Sequence, residues 1–271
     1  MDKTVPKYIG YKKEDFNTPY ASFYDETFAA VSPEILRGVK NSPVAVGQLP
    51  SVAQATTLLE KGYQTIENGY SLEADGSARV AVLTPMPNVA PYMWDWWFGW
   101  HGCKANRYKL WHPRAHLDAQ WQDGDQEREA YIGRTSMIEE YIGESLEKAN
   151  IRFISPTELG FKEADLKDKS EVVFICARIG YTHFPLDFGY LVHQIRRTEG
   201  GAEMRSRFWM GGEYIALRGE GTVPKMVSKL LQKLKRIPKQ QAIDLMLHCT
   251  EEMNHLAAFL PNIYHQFNKP V

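Results

Sequence analysis

Residues 239–260 read KQQAIDLMLHCTEEMNHLAAFL, and this stretch decides the fold. Leu245, Cys249, Glu252 and Leu256 recur along one side, with Ala242 and His248 bordering them, so the spacing predicts a long C-terminal helix with one buried face. Pro261 is expected to end it. Upstream, the period changes from helical to alternating. GRTSMIEEYIG (133–143), ANIRFIS (149–155), EVVFICARI (171–179), GYLVHQIRR (189–197) and EMRSRFWMGG (203–212) read as strands. TEGGA (198–202) joins the last two as a hairpin loop. A meander of strands followed by one long helix is an α+β pattern, in which the helix packs across the concave face of a curved antiparallel sheet and the two enclose a cavity.

Farther from the helix the signals are shorter. PNVAPYMWDWWFGWH (87–101) predicts a helix beginning near Pro91, because Met93, Trp97 and Trp100 recur at helical spacing. Pro113 in RYKLWHPRAH (107–116) forces a turn or extended conformation just after His112. SVAQATTLLEKG (51–62) predicts a short helix opening on Ser51, and ARVAVLTPM (78–86) a strand that Pro85 and Pro87 terminate. We divide the chain into an N-terminal extension or small subdomain, residues 1–84, and a main domain, residues 85–271.

With 271 residues, 44% hydrophobic and 24% charged, the chain is long enough to bury a sizeable core. Thirty-two Lys and Arg against 33 Asp and Glu, with no basic cluster, give no electrostatic track for nucleic acid. No apolar run approaches the roughly 18 residues that span a bilayer, and the polar opening MDKTVPKYIGYKKEDF lacks the apolar core of a signal peptide. A cytoplasmic protein without a membrane partner is expected. Cys103, Cys176 and Cys249, with no CxxC spacing, fit a reducing compartment and read as small buried hydrophobes. Trp94, Trp96, Trp97 and Trp100 fall in one run, which means either a heavy core seam or an aromatic-lined pocket.

GxSxG, GxxxxGK[ST], HExxH and GxGxxG are all absent, which removes the common serine-hydrolase, nucleotide and zincin readings. Eight histidines remain. His248 and Glu252, four residues apart, project from one helix face about 5–6 Å apart at Cβ and can share a cation. The same spacing is common in plain hydrogen-bonded pairs on helices, so two further elements matter. His112 and His116 lie in a proline-restrained loop, and Glu139 and Glu140 fall on opposite faces of one strand, so one of the two points inward. Two histidines with two carboxylates suit Zn²⁺ or a similar divalent ion. His193 shares the buried strand face of Leu191 and Ile195, either as a hydrogen-bonded core residue or as an acid, base or donor at the site. Tyr108 is either a half-buried tyrosine or a phenol-to-phenol hydrogen bond.

DWWFGWHG (95–102) with RYKLWHPRAH, EEYIG (139–143), GGAEMRSRFWMG (200–211) and HCTEEMNHLAAFLP (248–261) occur in an order that resembles the 2,4-diacetylphloroglucinol hydrolase family, to which phloretin hydrolase also belongs. The resemblance covers residues 85–262. It implies a Bet v 1-like helix-grip fold, homodimers, and zinc-dependent hydrolysis of the C–C bond between a phloroglucinol ring and its acyl group. Carried over by residue, it implies metal binding by His116, Glu140, His248 and Glu252, a ring-hydroxyl anchor in Tyr108 and a buried substrate-side histidine in His193. The chain departs from the diacetylphloroglucinol branch at Ala119, where an asparagine is expected, and at Phe208, where a tyrosine is expected. Losing two polar groups points to a different or larger acyl substrate, and phloretin, with its arylpropanoyl arm, fits. The alternatives are diacetylphloroglucinol as substrate, or a non-catalytic protein that binds aromatic ligands.

Overall fold

In the computed structural model, which describes residues 10–124, 126, 130–219, 222–234 and 236–268, four α-helices precede the long one. They are α1 (Pro33–Lys40), α2 (Pro91–Trp100), α3 (Ala105–Trp111) and α4 (Thr222–Leu234). The C-terminal pattern then forms α5, a 29-residue helix over Lys239–Phe267. Residues 1–9, most of the polar opening, lie outside the described residues.

Pro261 sits inside α5 rather than ending it. A proline removes one N–H and crowds the carbonyl four residues back. Ring packing holds the turn beyond it: Tyr264 meets Tyr92 and Trp96, and Phe267 meets Tyr20, Phe23 and Trp100. Tertiary contact therefore overrides the break.

The strands are β1 (Gly69–Leu72), β2 (Ala78–Pro87), β3 (His116–Trp121), β4 (Thr135–Ile142), β5 (Ser145–Ile154), β6 (Val172–Tyr181), β7 (Leu186–Thr198), β8 (Gly201–Met210) and the two-residue β9 (Ala216–Leu217). They form one antiparallel sheet in the order β1-β2-β8-β7-β6-β5-β4-β3, with β9 on β7. Helix α5 touches both β2 and β4, which lie near opposite ends of that order, so the sheet wraps around the helix. This is the helix-grip arrangement. No helix among the described residues is long and apolar enough to cross a membrane.

Two proline expectations change on the sheet. Strand β2 continues through Pro85 and Pro87, paired with Glu203 and Gly201 of β8. Beyond Ala81 no strand among the described residues pairs with its other side, and the Leu83 N–H already points that way, to Asn68 Oδ1 at 2.8 Å. Pro85 and Pro87 share Leu83's parity, so the N–H each lacks would have faced the open edge, where a proline is tolerated.

Alternation gives the central strands two buried faces. Leu191, His193 and Ile195 of β7 and Ser206 and Phe208 of β8 face α5, while Val192 and Trp209 face the opposite side. That outer side is covered by Val52–Leu59, the predicted helix, which forms as a 3₁₀ helix. Its Ala55 and Leu58 pack with Phe174, Cys176, Val192 and Trp209. The tryptophan run is chiefly a core seam: Trp94 and Trp97 are fully buried, in edge-on contact with Trp111. All three cysteines are buried thiols that form no disulfide among the described residues.

Candidate metal centre and its cavity

Four side chains from three elements converge where α5 meets the edge of the sheet. His116 opens β3, Glu140 lies directly opposite it on β4, and His248 and Glu252 stand one turn apart on α5. His116 Nε2 is 3.3 Å from Glu140 Oε2 and 3.5 Å from Glu252 Oε2. His248 Nε2 is 3.7 Å from Glu140 Oε2 and 3.9 Å from Glu252 Oε2. All four residues are buried. Donor atoms of His116, His248 and Glu252 lie within 4.8 Å of one another, a spacing that could hold a metal ion.

Which strand carboxylate faces the cluster depends on which face of β4 is covered. Glu140 points inward, whereas Glu139 points out and pairs with Lys148 at 3.1 Å. Glu147, opposite Glu140 on β5, lines the cavity, and Glu144 lies in the exposed turn. His112, the first histidine of the loop, stays outside the donor set. Its ring stacks on His248 at 5.0 Å and 9°, and its Nε2 lies 3.3 Å from Glu251.

The residues present fit a divalent ion. His116 is 0% exposed, and its Nδ1 lies 3.0 Å from the Tyr108 carbonyl, which places the proton on Nδ1 and a lone pair on Nε2. Among the described residues that Nε2 has no hydrogen-bond partner, although an orphaned buried acceptor is costly. Burial lifts Glu252 to about 8, against the pull of His248, and the nearby Glu140 adds to the rise. Burial alone would depress His248, but Glu140, Glu252 and Glu251 outweigh it and lift the imidazole to about 9. A cation among these groups relieves both the crowding of two carboxylates and the unpaired nitrogen.

Beside this cluster opens a cavity of about 520 Å³. Its inner wall is apolar, with Phe98, Trp111, Ile138, Phe153, Leu191 and Phe208. Polar groups, including Glu147, Gln240, Gln241 and Asp244, also line it. Of the predicted substrate-side residues, Tyr108, His193 and Phe208 all line the cavity, while Ala119 is buried without reaching it. Tyr108 donates a short hydrogen bond to Glu140 and stacks on His116 at 3.8 Å and 4°. Burial and the adjacent Glu140 push its phenol well above the ordinary value, so it stays neutral. The sequence reading attached no role to His101, another cavity residue. Its signals are its place in DWWFGWHG and its position four residues after Trp97.

His193 sits in a polar pair within an apolar wall. Its Nδ1 lies 2.8 Å from Ser206 Oγ, its one hydrogen-bond partner among the described residues. Burial lowers its pKa to about 3 from an ordinary 6.5, so the ring is neutral. In the unfolded chain the same group takes a proton below about 6.5, so the unfolded state binds more protons between about 6.5 and 3, and stability falls as pH falls through that window. Between pH 7 and 5 wild-type protein is expected to lose about 2 kcal/mol more unfolding free energy than His193→Gln. Urea titrations at the two pH values check this; parallel losses in both proteins would reject a buried neutral His193.

A family model described as the DAPG hydrolase PhiG domain matches residues 49–265. A 2,4-diacetylphloroglucinol hydrolase of Pseudomonas sp is 28% identical, with 94% of this chain and 90% of that protein covered. A phloretin hydrolase of Eubacterium ramulus is 26% identical, with 94% and 93% covered. The two identities do not separate the branches. Among solved structures, Ara h 8.0201 aligns at a TM-score of 0.42 and 8% identity, over 69% of this chain and 99% of that one.

Proposed function

The chain belongs to the DAPG hydrolase family, and from that premise we propose that it is a zinc-dependent hydrolase that cleaves the C–C bond between a phloroglucinol ring and its acyl group. The observation that carries this reading is the convergence of His116, Glu140, His248 and Glu252 beside a cavity with an apolar inner wall. We assign the metal to those four residues, ring orientation to Tyr108 and His193, and shape selection to Phe208. Phloretin is the proposed substrate: Phe208 adds an apolar wall, and about 520 Å³ leaves room for an aryl arm beyond the ring. We assign the protein to the cytoplasm and expect a homodimer.

An aryl carbon is a poor leaving group. A 1,3,5-trihydroxy ring can take a keto form, and departure of its carbon then gives an enolate spread onto the ring oxygens. Water supplies OH to the acyl carbon and a proton to the ring carbon, so phloretin yields phloroglucinol and 3-(4-hydroxyphenyl)propanoate. A bound divalent ion supplies a lowered water pKa and charge stabilisation at the acyl oxygen. The protein residues orient and desolvate. Tyr108, its proton committed to Glu140, offers an oxygen that accepts from a ring hydroxyl. His193 is too acidic in its protonated form to carry a proton near neutrality, so its task is hydrogen bonding. If the Ser206 hydroxyl donates to Nδ1, Nε2–H is left to donate to a ring oxygen.

Metal analysis and product analysis test the reading together. Purified protein with about one zinc per chain is expected to release both products from phloretin, and to release none after chelation. Metal-loaded protein that releases products from neither phloretin nor diacetylphloroglucinol, while binding phenolics tightly, would make it a binding protein instead. Faster turnover of diacetylphloroglucinol would move it to the other branch.

A further inference from the structure

His101 follows α2 in a 3₁₀ turn, His101–Cys103, and is 3% exposed. Its ring lies nearly parallel to Trp97 (5.4 Å, 12°) and to Tyr108 (5.9 Å, 25°), with Phe98 and Trp111 meeting it edge-on. Its Nδ1 is 2.8 Å from the Trp97 carbonyl, an oxygen that can only accept. The Nδ1 therefore carries the proton and Nε2 carries a lone pair. The ring lines the cavity, and among the described residues no protein group hydrogen-bonds to Nε2. A helix turn, a carbonyl and two flanking rings thus hold one acceptor toward the space where the aromatic ring is placed.

We propose that His101 recognises the substrate by accepting a hydrogen bond from a phenolic hydroxyl of its ring at Nε2. The inference rests on the acylphloroglucinol reading and deepens it. Phe98 contacts both His101 and His193, its ring centroid 5.6 Å from the first and 6.3 Å from the second. The cavity then presents a fixed acceptor at His101 and, with the Ser206 hydroxyl donating to Nδ1, a donor at His193. A phloroglucinol ring passing to its keto form has both a hydroxyl to give and a carbonyl to receive. A plain apolar ring would leave the acceptor at His101 unpaired, so the site selects for ring hydroxyls.

The product phloroglucinol, which has no acyl group, isolates this contact. Calorimetric titration of metal-loaded protein is expected to show binding about tenfold weaker in His101→Phe than in wild type, with metal content unchanged. His101→Gln, which returns an acceptor oxygen, is expected to recover most of the loss. In wild-type protein labelled with ¹⁵N-histidine, the Nε2 signal missing from His101→Gln is expected to move upfield when phloroglucinol is added, as an acceptor nitrogen does on gaining a hydrogen bond. This measurement holds even if the phenylalanine variant fails to fold. Phloroglucinol binding without movement of that signal, or within twofold of wild type in His101→Phe, overturns the assignment while leaving the hydrolase reading intact. Wild-type protein that neither binds phloroglucinol nor cleaves an acylphloroglucinol overturns both.

Discussion

Replacing His116 with alanine is expected to strip the metal and lower kcat/KM by more than ~10³-fold, since loss of even an outer partner of a metal ligand costs roughly 10–100-fold. His116 is the donor with the least freedom. It is fully buried, its tautomer is set by the Tyr108 carbonyl, and its Nε2 lies within 3.5 Å of both carboxylates. Glu140→Gln is expected to act in the same direction, because it also loosens Tyr108. Glu139→Gln, one residue away and paired with Lys148 on the outer face, is expected to keep both metal and turnover. Metal content by elemental analysis and turnover of phloretin are the two measurements. A folded His116→Ala protein that keeps its metal would remove the proposed centre.

The contrast between Glu139 and Glu140 also shows what the sequence could and could not reveal. Helix α5 was legible because its apolar stripe and the His248–Glu252 step follow one period. On a strand, alternation offers two faces and says nothing of which is covered, so choosing Glu140 needed the resemblance first and the helix packed against β4 afterwards. Pro261, Pro85 and Pro87 were misread for a related reason. A break is a local cost, and ring packing at the end of α5 and an open edge at β2 are non-local facts. His101 lies inside the run DWWFGWHG, but no spacing there gave it a role. Its tautomer and aim come from a carbonyl and rings that only the fold brings together.

On the outer face, Glu67→Ala is expected to destabilise the protein by about 3–5 kcal/mol, because it leaves two buried guanidinium groups without their counter-charge. Arg205 and Arg207 of β8 are 1% and 3% exposed, and both close on Glu67. Burial would raise the Glu67 carboxyl, but the two arginines outweigh it and hold its pKa below the ordinary range. Arg205 also donates to Gln194 of β7 and to the Leu58 carbonyl, so the network ties the segment that covers the outer face to the two central strands. Ser206 lies between the two arginines and points the other way, to His193. Loosening Glu67 thus disturbs the strand that orients a cavity histidine, and the stability loss should come with weaker phloroglucinol binding at unchanged metal content. Arg205 and Arg207 close on different Glu67 oxygens, so Glu67→Gln keeps an acceptor for one of them and is expected to lose less. Equilibrium denaturation followed by circular dichroism ranks the three proteins. A Glu67→Ala variant within about 1 kcal/mol of wild type would mean that water reaches the arginines and that the outer face does not brace the cavity.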